Sequence, residues 1–160
     1  MKKLLYIVIA TLGLASCSNS RVVITEADMP EDMFYLDDEI KPYTGKAIIY
    51  FSGTEIIKEE LTYKRGILNG EAISYFQNGK IKRRGEYKMG RLTGKWQSWY
   101  ENGKKKYEVD YTNDTLSGAF TLWYATGVVK IRGSYSENNR VGQWIEYDEA
   151  GMVMNKHLFN

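Results

Sequence analysis

The stretch GKWQSWYENGKKKYEVDYTNDTLSG, from Gly94 to Gly118, decides the fold because the chain nearly repeats it on both sides. The segment before it begins GEAISYFQNGKIKRRGEY at Gly70, and the segment after it begins GAFTLWYATGVVKIRGSY at Gly118. Three columns recur in step, each at a spacing of twenty-four residues: Tyr63, Tyr87, Tyr111 and Tyr135; Gly70, Gly94, Gly118 and Gly142; Gly79, Gly103, Gly127 and Gly151. A fixed period is typical of repeat architectures, and we place the starts of the units near residues 45, 70, 94, 118 and 142.

Each unit is predicted to consist of two strands joined by a tight turn. Asn78-Gly79 and Asn102-Gly103 predict type I′ hairpin turns, in which both central residues have positive φ. A second turn, rich in Gly, Asn and Asp, separates one unit from the next. We therefore predict an all-β fold, an elongated single-layer antiparallel sheet of tandem β-hairpins.

Period-two alternation assigns the side chains to faces. The first strand is apolar on both sides, since one face carries the aromatic column Tyr50, Tyr75, Trp99, Trp123 and Tyr147 and the other carries Ala47, Ala72, Trp96, Phe120 and Trp144. On the second strand, one face is predicted to combine the Tyr63 column with Ile57, Ile81, Val129 and Val153. The other face carries Lys58, Lys82, Lys106 and Lys130, which predicts a half-solvated strand.

The N-terminus indicates an exported chain. Lys2 and Lys3 precede an apolar run from Leu4 to Ala15, which is too short to span a bilayer and fits the core of a signal peptide. Leu14-Ala15-Ser16-Cys17 resembles the lipobox of bacterial lipoproteins, which implies that Cys17 becomes the acylated first residue and attaches the chain to a membrane. We therefore expect a helical signal peptide over residues 1–16, a tether and N-terminal cap over 17–33, and the repeat domain over 34–160. The expected location is the bacterial cell envelope, preferably the periplasmic side of the outer membrane.

The repeated residues G-x-W-x-x-W/Y-Y-x-N-G-K-x-K-x-x-G-x-Y resemble MORN-repeat variants, specifically bacterial chains that carry a YwqK antitoxin label. The resemblance covers residues 45–159 and implies successive antiparallel hairpins in one elongated sheet. The label offers an antitoxin or immunity role as one alternative for function.

The residues themselves favour a binding protein over an enzyme. The one histidine, His157, occupies a packing column of the repeat. The sequence has neither a Cys/His cluster nor the spacing of a calcium loop, so we expect no metal or cofactor site. Removal of Lys2 and Lys3 with the signal cancels the formal charge of +2, so we expect no nucleic acid partner.

Two binding functions follow from the exposed positions that the pattern predicts. The first is a scaffold for an envelope protein, and the alternative is a glycan or cell-wall module that uses aromatic rings. The candidate residues for such a surface are Trp96, Trp99, Trp123, Trp144, Lys58, Lys82, Lys106 and Lys130. A packing role for the rings and a solvated role for the lysines remain open beside these functions.

Overall fold

A computed structural model describes residues 21–24 and 42–160 as a single open sheet of 11 strands. The strands are β1 Arg21–Ile24, β2 Gly45–Tyr50, β3 Ile57–Lys64, β4 Ile67–Tyr75, β5 Ile81–Lys88, β6 Arg91–Trp99, β7 Lys105–Thr112, β8 Thr115–Trp123, β9 Val129–Ser136, β10 Asn139–Tyr147 and β11 Val153–Phe159. They lie in the sheet in chain order, and no helix occurs among these residues. The predicted all-β sheet of tandem hairpins is confirmed, while the signal segment 1–16 and Cys17 lie outside the described residues.

The N-terminal end of the sheet departs from the hairpin pattern. β1 pairs with β2 in parallel, and this pairing places Val22 beside Ala47 and Ile24 beside Ile49. All four side chains are buried. A short apolar strand therefore covers the first hairpin, and every later pair of neighbouring strands is antiparallel.

The turns within the hairpins differ from the prediction. The N–H of Gly79 donates to the carbonyl of Phe76 at 2.9 Å, and Gly79 has a φ of 77°, whereas Asn78 has no positive φ. The connection is therefore a three-residue loop with one left-handed residue, and the predicted type I′ turn is wrong. Asn78 instead accepts a hydrogen bond from the N–H of Lys80 through Oδ1 at 3.0 Å. Because only the glycine needs positive φ, units that keep the glycine and change the asparagine still form the turn.

The type I′ geometry occurs between units. Two-residue turns with positive φ at both central positions connect Lys64 to Ile67 and Thr112 to Thr115. The central pairs are Arg65-Gly66, Met89-Gly90, Asn113-Asp114 and Glu137-Asn138. These turns lie at the opposite margin of the sheet from the glycine loops, so the two margins have different backbone chemistry.

A β-bulge recurs in every hairpin and changes the assignment of side chains to faces. Ser74 lies opposite Arg83 but Tyr75 lies opposite Ile81, so Lys82 is an extra residue in its strand. Equivalent bulges fall at Lys58, Lys106, Lys130 and Met154. Since directly paired residues point to one face, Ile81 lies on the face of Tyr75, and Tyr87 lies on the other. The predicted common face for Ile81 and Tyr87, and for their repeats Ile57, Val129 and Val153 with the Tyr63 column, is therefore wrong.

The two faces differ in burial, and we name them by that difference. The core face carries the Tyr63 column together with Trp96, Val109 and Trp144, and most of the buried side chains lie there. The outer face carries a cross-strand row of mostly polar residues: Glu60, Ile73, Arg84, Gln97, Glu108, Thr121 and Arg132. The interior of this single-layer sheet is thus one face on which neighbouring units cover each other.

Candidate functional site

Trp96 and Trp144 belong to the core and not to an exposed surface. Their exposed fractions are 3% and 1%, so their predicted place on a binding surface is wrong. Each ring lies over a glycine of the preceding strand, and a Cβ at Gly85 would lie 2.1 Å from Cδ2 of Trp96. A Cβ at Gly133 would lie 2.2 Å from the same atom of Trp144. Each indole therefore occupies the space that a side chain at the glycine would fill.

Polar contacts complete the burial of these two indoles. Nε1 of Trp96 donates to the carbonyl of Glu86, and Nε1 of Trp144 donates to that of Ser134, both at 3.2 Å. The guanidinium groups of Arg83 and Arg140 lie over the respective rings at 4.3 Å. With glycine below and arginine above, neither ring offers a free face to a sugar.

Trp99 and Trp123 lie on the outer face and are half-buried. They continue the aromatic column that begins with Tyr50 and Tyr75, and Trp99 pairs with Lys105 across the hairpin. The ammonium of Lys105 also lies 5.6 Å from the ring centre of Trp123. Of the four tryptophans, these two are the ones with accessible ring surface, and they lie beside cations.

The four predicted lysines form a row at the bulges. Lys82, Lys106 and Lys130 are exposed, and each ammonium lies 5.1–5.9 Å from an aromatic ring at the start of its own turn. Those rings belong to Phe76, Tyr100 and Tyr124. Lys58 lies at the equivalent bulge and is only half-exposed. The row is a repeated cation–ring motif along one margin of the sheet.

Ion pairs hold the outer face together near its centre. The Glu108 carboxylate accepts hydrogen bonds from Lys105 and Lys95, both at 2.7 Å, and from the amide of Gln97 at 2.8 Å. The hydrogen bonds from Lys105 and Lys95 lower the pKa of Glu108 from 4.5 to about 2. These charges are therefore paired with each other, Lys95 across strands and Lys105 within β7, and they leave little unpaired charge at this position.

Hydrogen bonds from one unit to the next make the sheet a continuous body. At the loop margin, the hydroxyl of Tyr100 donates to the carbonyl of Trp123 at 2.7 Å, and that of Tyr124 donates to Tyr147 at 2.9 Å. At the opposite margin, the N–H of Leu92 donates to Oδ1 of Asp114 at 2.7 Å. Because both margins are linked, successive hairpins have a fixed spacing and orientation.

The C-terminal strand β11 is the most exposed part of the sheet. Among the strands that the structure describes, it ends the order and pairs with β10 alone. Of the seven exposed large hydrophobic side chains among residues 21–24 and 42–160, four lie on β11 or directly before it: Met152 at 67%, Val153 at 50%, Met154 at 52% and Leu158 at 77%. An open strand edge and exposed apolar side chains thus occur together.

His157 lies on the edge strand of the sheet. It is exposed on β11, opposite Trp144, and its ring centre lies 6.4 Å from that of Phe159. Across residues 21–24 and 42–160, no group of three or more His, Cys, Asp or Glu side chains is placed to hold a metal ion. No helix in this part of the chain is long and apolar enough to cross a membrane.

Comparison with known proteins supports the repeat at the centre of the chain. The family described as MORN repeat variant matches residues 68–89 and 92–113. Each match spans one hairpin-forming pair of strands, β4 with β5 and β6 with β7. The chain thus contains MORN-type β-hairpin repeats within a sheet that fits a repeat scaffold. A search of curated proteins found no match.

Proposed function

We propose that this chain is a non-enzymatic, lipid-anchored protein of the bacterial envelope whose repeat sheet is a protein-interaction scaffold. A strand of another envelope protein docks on β11. The observation that carries the proposal is the open, apolar edge of that strand. Addition of a strand to a sheet edge is a general mode of protein recognition, in which main-chain hydrogen bonds supply affinity and side chains supply specificity.

The equivalent strands inside the sheet supply the comparison that supports this proposal. Met154 stands at the bulge position that is Lys82, Lys106 and Lys130 in earlier units. Leu158 stands where those units have Glu86, Asp110 and Ser134. An edge strand of a monomeric protein is normally protected by charges, and here two positions that are mostly charged in earlier units are apolar, which leaves Lys156 as the one lysine of the strand. This substitution pattern favours an edge that another chain covers.

The anchor rests on the sequence around Cys17. Three residues, 18–20, separate Cys17 from β1, so an anchor at Cys17 holds the β1 end of the sheet near the membrane and leaves β11 at the other end of the strand order. Cys17→Ala is expected to abolish lipid attachment and move the protein from the membrane fraction to the soluble fraction. Unchanged processing and fractionation of Cys17→Ala would contradict the anchor and leave the docking proposal standing.

Docking is tested by site-specific photo-crosslinking in the intact envelope. A photo-reactive amino acid at position 158 is expected to form a covalent adduct with one identified envelope protein. The double variant Met152→Lys/Met154→Lys should abolish that adduct, because it restores the charge that protects an edge strand.

Met89 provides the matched control, because it is a methionine with 74% exposure in a turn between central units. Met89→Lys should leave the adduct at position 158 unchanged. Equal crosslinking from positions 89 and 158 would mean that the edge has no special role. A dimer of the purified protein that Met152→Lys/Met154→Lys dissociates would also overturn the proposal, since the edge would then bind a second copy.

A further inference from the structure

A depression opens on the core face between β3 and β6, where the second unit has smaller side chains than the units that follow it. Ala72 and Ser74 stand at the columns that hold Trp96 and Ser98 in the third unit, and Phe120 and Leu122 in the fourth. The depression has about 340 Å³ of empty space, including its open mouth. Because that figure includes open solvent, only about 90 Å³ is space for a ligand, which is below the range of about 300–1,000 Å³ for drug-sized pockets and limits the site to a small ligand.

Two opposite charges line this depression without pairing. Glu59 lies opposite Ser74, and Ser74 lies opposite Arg83, so the three residues are successive cross-strand neighbours on the core face. Two such steps place the Cα atoms of Glu59 and Arg83 about 10 Å apart. Neither side chain forms a hydrogen bond or an ion pair in the described part of the chain.

Arg83 also has a buried donor that lacks an acceptor. Its Nε is the one buried side-chain nitrogen or oxygen among the described residues that has no hydrogen-bond partner. The guanidinium is held in place because it lies over the Trp96 ring at 4.3 Å. Leaving a buried charged donor unsatisfied is unfavourable, and a carboxylate is the acceptor that matches the arginine fork in two parallel bonds.

The remaining walls are apolar or aromatic. Leu61, Ala72 and Trp96 line the side of the depression, and Tyr87 borders it. Burial raises the pKa of Tyr87, Arg83 lowers it and Glu59 raises it, so both charges act on this hydroxyl. The chemistry combines a guanidinium, a carboxylate and an apolar wall within one small volume.

We propose that this depression binds a small apolar α-amino acid as a zwitterion. The ligand carboxylate accepts from the terminal nitrogens of Arg83, its ammonium donates to Glu59, and its side chain lies against Leu61. Ser74 leaves the necessary room between the two charges. This site lies on the core face and is independent of the docking edge.

The test is an NMR titration of the purified protein with L-valine and three matched analogues. L-valine should give saturable shifts at the depression with a dissociation constant tighter than about 10 mM. N-acetyl-L-valine lacks the ammonium, L-valinamide lacks the carboxylate, and isobutyramide lacks both charges, so each should bind at least about tenfold more weakly. No saturable shift with L-valine, or equal binding of N-acetyl-L-valine, would overturn the proposal.

Neighbouring residues on the other face give matched variants. Arg83→Gln and Glu59→Gln should each weaken L-valine binding at least about tenfold. Arg84→Gln and Glu60→Gln change the same residue types one position away, on the outer face, where Arg84 pairs with Glu71 and Glu60 accepts from Tyr75, and these should leave binding unchanged.

A filling variant separates loss of the site from loss of the fold. Ser74→Leu places at this column the residue that the fourth unit has at Leu122, so it should fill the depression while the spectrum elsewhere keeps its dispersion. It is expected to abolish binding of L-valine. Unchanged binding by folded Ser74→Leu would show that the ligand binds elsewhere, and the proposal would be wrong.

Discussion

The two faces of this sheet are built from the same repeat but are stabilised differently. On the core face, Trp96 fits the space above Gly85, so packing and exclusion of water dominate. On the outer face, Glu108 is held by Lys95 and Lys105, which are half-exposed. Packing of a buried indole is worth several kcal/mol, whereas an exposed ion pair is worth about 1 kcal/mol or less. A single-layer sheet can therefore have an interior on one side and a solvated ladder on the other.

The largest expected difference between the faces comes from their tryptophans. Trp96→Ala should lower the free energy of unfolding by about 3–5 kcal/mol, because it leaves a cavity over Gly85. Trp99→Ala on the outer face should cost about 1–2 kcal/mol, since part of that side chain is already in water. Urea denaturation measures both, and equal losses would contradict the assignment of the two faces.

A methyl group on a core glycine tests the same fit from the other side. Gly85→Ala should destabilise by about 1–3 kcal/mol, because the new Cβ collides with the Trp96 ring and the ring must move. Ser134→Ala, at an exposed position on the outer face, is the control and should stay within about 0.5 kcal/mol of the parent protein. A neutral result for Gly85→Ala would mean that the indole is not seated on this glycine.

The smallest effect concerns the outer face and depends on pH. The Glu108 carboxylate has its pKa lowered from 4.5 to about 2, so its ion pairs contribute fully above 4.5 and are lost as the pH falls towards 2. Because the side chains of Lys95 and Lys105 are 52% and 43% exposed, we expect Glu108→Gln to cost only about 1 kcal/mol at neutral pH. That difference from the parent protein should vanish near pH 2. Its persistence at pH 2 would indicate a packing role for Glu108.

The period of the sequence predicted the number, order and pairing of the hairpins. The columns were sufficient because identical positions in successive units meet across the sheet, so one correct period fixes the register of all units. The face of Ile81 was wrong because a bulge at Lys82 reverses the alternation, and bulges have no reliable residue signature. The type I′ turns were predicted within the hairpins but lie between the units. The prediction failed because Asn-Gly also suits a three-residue loop in which only the glycine is left-handed.

The candidate residues show a similar limit. An aromatic column predicts a ring but not whether the strand beside it leaves space for the ring, and this is why Trp96 was placed on a surface. The feature of the sequence that indicates space for the ring is the small residue in the neighbouring column. That column holds Gly85, Val109 and Gly133. The sequence pattern does not single out Glu59 and Arg83, because each has the character of an ordinary solvated charge and only cross-strand pairing places both beside Ser74.

Hydroxyl-radical footprinting of the four tryptophans tests the central claim, which is that one face of the repeat sheet is its core. Mass spectrometry of the folded protein should show slow oxidation of Trp96 and Trp144 and several-fold faster oxidation of Trp99 and Trp123. All four should react alike in denaturant. Equal rates in the folded protein, or faster oxidation of Trp96 than of Trp99, would contradict the account.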